Sequence, residues 1–303
     1  MPLSSREVSI HLALFLASCV TTCVHGALDS ESGWVGGLAF SATLMGILVC
    51  HEAGHYFVSR RHGVPTSLPY FIPLPPYLTL GTMGAVIRMD EPISDRNALF
   101  DVGAAGPIAG LVVAIPLLVV GLTLSELRVP APDAMIEGNS ILYAALKYAV
   151  FGRWLPGDGL DVQLHPMALA GWFGLLLTMI NLIPIGQLDG GHVARAALGE
   201  AHERWSARLH VALPAIGLAV GLVMLALALD AGKDITGALL YAFHGLGSWL
   251  VWALLLGLMR WRAGEYHPPV GDAPLDPSRR RRAIGMLIVF VLIATPVPFR
   301  PVL

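Results

Sequence analysis

The chain has 303 residues, 55% of them hydrophobic and 13% charged, about half the charged fraction of an average soluble domain. A mean hydropathy of +0.67 excludes an ordinary soluble fold and points to a membrane protein. A net charge of −2 gives no electrostatic basis for a nucleic-acid partner, and three cysteines cannot build a disulfide framework.

Apolar segments fall at about 8–28, 35–57, 99–123, 166–188, 209–229, 236–259 and 283–297. The first six reach the roughly 20 residues a membrane helix needs, and the seventh is marginal. The first follows a single Arg6 and lacks an A-x-A cleavage pattern after it, so it reads as a retained transmembrane helix rather than a signal peptide.

The second segment ends in His51-Glu52-Ala53-Gly54-His55, and the run before it, Val35 to Cys50, has no ionisable group except Cys50. Histidines at i and i+4 share one helical face and can grip one metal, with the glutamate placed to handle a water proton. Ionisable groups at membrane depth are costly and read as functional. A catalytic zinc takes three protein ligands and leaves a position for water. The extended soluble pattern H-E-x-x-H-x-x-G-x-x-H fails, because Val58 stands at the glycine position and Arg61 at the third histidine, with His62 one residue out of register. Cys50 points about 100° away from His51 on a helix and reads as a small buried thiol. Val64 to Met89 is apolar, carries Pro65, Pro69, Pro73, Pro75 and Pro76, and closes with Gly81 to Met89. It reads as a re-entrant or interfacial element ending in a short strand. The acids that follow, Asp90 and Glu91, stay open as third ligands on spacing alone.

In the third segment Asp101 is expected to cap or orient the helix start, and Gly103, Gly106 and Gly110 to give a smooth packing face. The fourth ends in Asn181-Leu-Ile-Pro184-Ile-Gly-Gln-Leu-Asp189-Gly190-Gly191. Pro184 is expected to kink the helix and open it to water. Asp189, an acid in an apolar helix end beside two glycines, is the favoured third ligand. Asn181 would donate to a substrate carbonyl or developing oxyanion, or else tie two helices together. His192 reads as a support for the metal site or as an interfacial residue. His244 reads as a satisfied core histidine, with a functional role as its alternative, and Arg279 to Arg282 as a cytoplasmic anchor toward anionic lipid.

With a cytoplasmic N-terminus, fourteen of the 19 lysines and arginines fall on the cytoplasmic side and five opposite. The second and fourth segments then both run inward, so HEAGH and the Asn181–Asp189 stretch arrive at one depth near the cytoplasmic face.

HEAGH, PYFIPLPPYLTLGTMGAVIRM, ALFDVGAAGPIAG and NLIPIGQLDGGHV together resemble the site-2 protease family of intramembrane zinc metalloproteases (peptidase M50-like), over roughly residues 35–200. The resemblance implies an all-α polytopic membrane protein with six to seven transmembrane helices. It also implies a three-helix catalytic core and a small membrane-associated β-hairpin offering an edge strand to an unwound substrate. Residues 1–34 would be an N-terminal helix with a short outer loop, 35–200 the metalloprotease core, and 201–303 C-terminal helices with a basic cytoplasmic loop. By motif, His51, His55 and Asp189 would bind one Zn2+, Glu52 would be the general base and Asn181 a substrate or transition-state contact. The implied function is endoproteolysis of membrane-embedded or membrane-anchored proteins near the cytoplasmic face, in regulated intramembrane proteolysis at the cell membrane. The expected partners are a transmembrane protein substrate and the lipid bilayer. A catalytically inactive scaffold of the same fold, or a metal transporter, are the alternatives; the intact Glu52 weighs against the first and the lack of internal symmetry against the second.

Overall fold

The computed structural model describes residues 5–89, 92–132 and 134–302. In chain order the elements are α1 (Ser5–Asp29), α2 (Trp34–Arg61), β1 (Tyr70–Pro73), β2 (Thr82–Val86), α3 (Arg96–Thr123), β3 (Glu126–Arg128), β4 (Met135–Glu137), α4 (Ile141–Phe151), β5 (Asp161–Gln163), α5 (Pro166–Asn181), α6 (Asp189–Leu198), α7 (Ala201–Asp230), α8 (Ile235–Ala263), α9 (Pro277–Ile293) and β6 (Phe299–Pro301). The helices α1, α2, α3, α7 and α8 are each long and apolar enough to cross a membrane, which makes this a multi-pass, mainly helical membrane protein. α5 and α9 are shorter, at 16 and 17 residues. Asp90 and Glu91, left open above as ligands, lie outside the described residues.

The chain divides into two compact units, the first comprising residues 1–94, 101–127 and 162–181. Its core is the seam between α2 and α5, where Phe40, Leu44 and Ile47 are buried with Trp172, Phe173 and Leu175. Gly174 lets α5 approach closely, since a methyl group there would sit 2.9 Å from Ile47. β1 and β2 form the expected hairpin, pairing Tyr70 with Val86, Phe71 with Ala85 and Pro73 with Thr82. Five prolines leave this segment short of N–H groups and rich in carbonyls that its own ladder cannot satisfy. A polar stripe on the otherwise apolar α1 faces them. His11 Nδ1 lies 3.0 Å from the Pro69 carbonyl, Thr21 Oγ1 donates to Gly81 O at 2.6 Å, and His25 Nδ1 lies 3.0 Å from Pro76 O.

The second unit comprises residues 95–100, 128–161 and 182–303. α7 and α8 form its main helical pair, with Ile183, Ile185, Leu213, Leu256 and Tyr266 in one buried cluster. β4 and β6 pair antiparallel, from Met135↔Pro301 to Glu137↔Phe299. Beside them Lys147, 1% exposed, sits 3.4 Å from both Glu137 and Asp161, and the Tyr143 hydroxyl donates to Glu137 at 2.8 Å. A lone ammonium could not be buried at that depth, so the two carboxylates are what hold it there.

The sequence reading needs three corrections. The segment 166–188 is not one kinked helix: α5 stops at Asn181 and a new helix starts at Asp189. Pro184 brings no N–H to continue the ladder, and Gly186 turns the chain at φ +66°. Asp189 therefore stands in a first turn, where the helix dipole favours a negative charge. The basic residues Arg279 to Arg282 form the first turns of α9 rather than a loop, with Pro277 fitting the N-terminal position. Asp101 does not cap α3. The helix starts five residues earlier, at Arg96, where the Asp95 side chain accepts the Asn97 N–H at 2.9 Å.

Candidate metal centre

HEAGH lies well inside the 28-residue α2, and His51, Glu52 and His55 are 5%, 4% and 6% exposed. Regular helix geometry stacks the histidines one turn apart: their Nε2 atoms are 3.1 Å apart and their ring centroids 4.8 Å. His55 Nδ1 lies 2.8 Å from the Val102 carbonyl on α3. A carbonyl only accepts, so the imidazole proton sits on Nδ1 and Nε2 keeps its lone pair.

α3 reaches the histidines because glycines line the contact. A methyl on Gly54 would lie 2.6 Å from Ala105 O, one on Gly106 only 2.0 Å from His55 Nε2, and one on Gly110 3.2 Å from His51 Nδ1. Gly106 and Gly110 were expected to serve close packing; what they pack against is the two imidazoles themselves. Next to Val102, Asp101 forms a 3.0 Å pair with His62, tying the end of α2 to α3 beside the carbonyl that orients His55.

Asn181, the last residue of α5, brings Nδ2 to 3.3 Å from His51 Nε2. Its amide is therefore at the histidine pair, a contact that also ties α5 to α2. Within the second unit, Asp189 opens α6 after the Pro184–Gly186 turn. Gly190 and Gly191 let α6 fold back onto that turn, since methyl groups there would fall 2.1 Å from Leu182 O and 2.2 Å from Gly186 O. Three further hydrogen bonds fix α6 from outside. Arg96 donates to the carbonyls of Ala196 and Ala197 at its far end, and His192 Nδ1 lies 2.7 Å from His267 Nε2. Neither Val102 nor His267 carried a sequence signal. The first acts through its backbone, and the second stands in a loop with no spacing relation to α6. The His244 carbonyl accepts from the Ser248 hydroxyl at 3.4 Å.

Residues 39–226 match the family model of peptidase family M50. The chain belongs to peptidase family M50. Among its M50-like relatives, a probable zinc metalloprotease of Arabidopsis thaliana, EGY1, chloroplastic, is 35% identical over 162 residues, covering 52% of this chain and 29% of that protein. The rice (Oryza sativa subsp. indica) probable zinc metalloprotease EGY2, chloroplastic, is 29% identical over 269 residues, covering 88% of this chain and 43% of that protein. A third relative, the DDT domain-containing protein PTM of Arabidopsis thaliana, is 34% identical over 128 residues, 41% of this chain and 7% of its own length. The chain thus spans less than half the length of these relatives, and no solved structure matches it.

Two of these relatives are named zinc metalloproteases, and the α2 site fits a zinc ion. Tetrahedral zinc with bonds near 2.05 Å sets its ligand nitrogens about 3.3 Å apart, close to the 3.1 Å between the two Nε2 atoms. The Val102 carbonyl holds His55 at Nδ1, the way backbone carbonyls orient metal-binding histidines, and leaves Nε2 turned toward His51. Without a cation, His51 Nε2 cannot both donate to the His55 lone pair and accept the Asn181 amide hydrogen.

Proposed function

We propose that this protein is a zinc-dependent intramembrane endopeptidase in which His51, His55 and Asp189 hold one Zn2+. What carries this reading is the buried pair of Nε2 atoms 3.1 Å apart, with the Asn181 amide beside them. With Asp189 as the third ligand, His51 and His55 would complete the donor set expected of a catalytic zinc with one position left for water. Chain continuity supports Asp189 as the third donor. Gly190 packs on Leu182, which follows Asn181 directly.

The ion would supply Lewis acidity, lowering the pKa of a bound water and polarising the scissile carbonyl. Glu52, adjacent to His51 and equally buried, takes the water proton and passes it to the leaving amine. Asn181 donates its amide hydrogen to the substrate carbonyl as negative charge develops on it. His55, held by Val102, keeps its proton on Nδ1 throughout. β2 carries exposed Met83 and Val86 and offers an edge on which an unwound transmembrane segment can lie as a strand. This answers the difficulty that a helix hides its peptide bonds. The basic bias supports a site near the cytoplasmic face of a cell membrane, with single-span or membrane-anchored proteins as the proposed substrates and the release of a cytoplasmic fragment as the proposed outcome.

A non-catalytic scaffold of the same fold is the second reading, with the intact Glu52 weighing against it. Glu52→Gln separates the two. The purified variant should keep its zinc while cleavage of a reconstituted single-span substrate falls about 10²- to 10⁴-fold. Membranes of the variant should accumulate uncut fragments that proteomics detects. Undiminished cleavage by this variant would sink the assignment.

A further inference from the structure

Residues 264–268 lie beyond the stretch that matches the family model, yet Tyr266 and His267 are 5% and 4% exposed. Both are held from several sides within the second unit. The Glu203 carboxylate accepts the Tyr266 N–H, with both oxygens at 3.2 Å. His210 Nε2 lies 2.7 Å from Ala253 O and must donate to it, so His210 Nδ1 accepts the Tyr266 hydroxyl at 2.8 Å. The Arg260 guanidinium stacks 4.6 Å from the Tyr266 ring. This dipeptide is therefore a fixed point built by α7 and α8.

The same proton accounting runs on to α6. His267 Nδ1 lies 2.8 Å from Pro268 O, so in the neutral ring it carries the proton, and Nε2 is an acceptor. The only hydrogen that can fill the 2.7 Å contact is then the Nδ1–H of His192. His192 is three residues after Asp189, in the first turn of α6. That turn has need of an anchor. α6 has ten residues, too few to be stable alone, and the two residues after Asp189 are glycines with no side chains to lock its rotation.

We propose that His267 is a positioning residue that sets the rotation of the first turn of α6 through His192 and so aims Asp189 at the metal position. This rests on the zinc reading above. It makes the loop after α8 part of the support of the proteolytic site, although it lies outside the family-matched stretch.

The test uses the full-length protein in detergent, with zinc release to a chromogenic chelator as the readout beside thermal unfolding of the metal-stripped form. His267→Leu should speed zinc release about 10- to 100-fold, the usual cost of losing a residue that orients a ligand. His267→Gln, whose side-chain oxygen reaches the Nε2 position, should restore release to near the wild-type rate, while His267→Asn, which reaches only the Nδ1 position, should not. The Asn and Gln variants should unfold alike once metal-stripped, so that a difference between their release rates reports aim rather than folding. Should the Leu variant fail to accumulate, the Asn–Gln contrast carries the test. His192→Leu should match His267→Leu, and the double variant should be no faster than either. Release at the wild-type rate from His267→Leu or His267→Asn, or additive effects in the double variant, overturns the proposal. A wild-type protein that binds no zinc overturns the zinc reading itself and this proposal with it.

Discussion

α2 carries His51 and His55 deep within a continuous 28-residue helix, whereas α6 carries Asp189 in the first turn of a ten-residue helix that follows a broken stretch of chain. On α2 the spacing of the two donors is fixed by helical geometry, and only ring orientation is left to neighbours, namely Val102 O and the glycine face of α3. On α6 the proposed donor depends on more than the regular geometry of its own helix. Its place depends on a proline, a left-handed glycine, two glycines packed on backbone carbonyls, and hydrogen bonds to Arg96 and His267. A regular element makes an accurate pair and cannot bend to offer a third donor. A broken element can supply that donor, and then needs support from distant parts of the chain.

The largest expected effect strikes the α2 side. His51→Ala should abolish both zinc content and cleavage, as measured by metal analysis and substrate turnover; retained zinc with one histidine missing would show that α2 does not supply the primary pair. Next, Asn181→Ala should keep zinc and lower kcat about 10²- to 10³-fold, the cost of one oxyanion donor. A rise in KM with kcat intact would make Asn181 a binding contact instead. Gly106→Ala and Gly190→Ala compare the two supports directly. The first drives a methyl into His55, the second into the carbonyl of Leu182. Each should cost about 1–3 kcal/mol in stability. The Gly106 variant should also weaken zinc binding, because a flexible ring can swing aside only by leaving the metal position.

The smallest effect is one of pH. Burial holds the His267 imidazole below the ordinary histidine value of 6.5, against the pull of the Pro268 carbonyl and with Arg195 adding to the depression. The folded state therefore favours neutral His267. As pH falls through 6.5 the unfolded chain takes up its proton first, so stability present above that value is lost as pH falls toward the folded value. Melting curves should show a midpoint that declines below pH 6.5, and a shallower decline in His267→Gln.

What could be read in the sequence follows the same division. The pattern of α2 was legible because i, i+4 spacing needs no tertiary information, and the hydropathy of the long helices needs none either. The Asn181–Asp189 stretch announced an irregularity through Pro184. Whether proline bends a helix or ends it depends on the residues packed around it, and the turn at Gly186 is such an outcome. Asp101 looked like a cap because it precedes the glycine-rich run, but Asp95 had already started the helix and left Asp101 to pair with His62. Val102 and His267 were beyond reach for different reasons. One contributes an atom that every residue possesses; the other meets α6 only after some 70 intervening residues have folded.

The pairing of β4 with β6 has a consequence for the time course of assembly. Glu137 and Phe299 are partners in one ladder although about 160 residues separate them. At roughly 5–20 residues per second of synthesis, the segment bearing Glu137, Lys147 and Asp161 must wait about 10–30 s for its last strand to be made. During that interval the lysine has both acids in hand while the β4–β6 ladder is still unmade. A biogenesis factor that shelters such a half-built cluster, or a bilayer that leaves it hydrated, would set the yield of the finished protein.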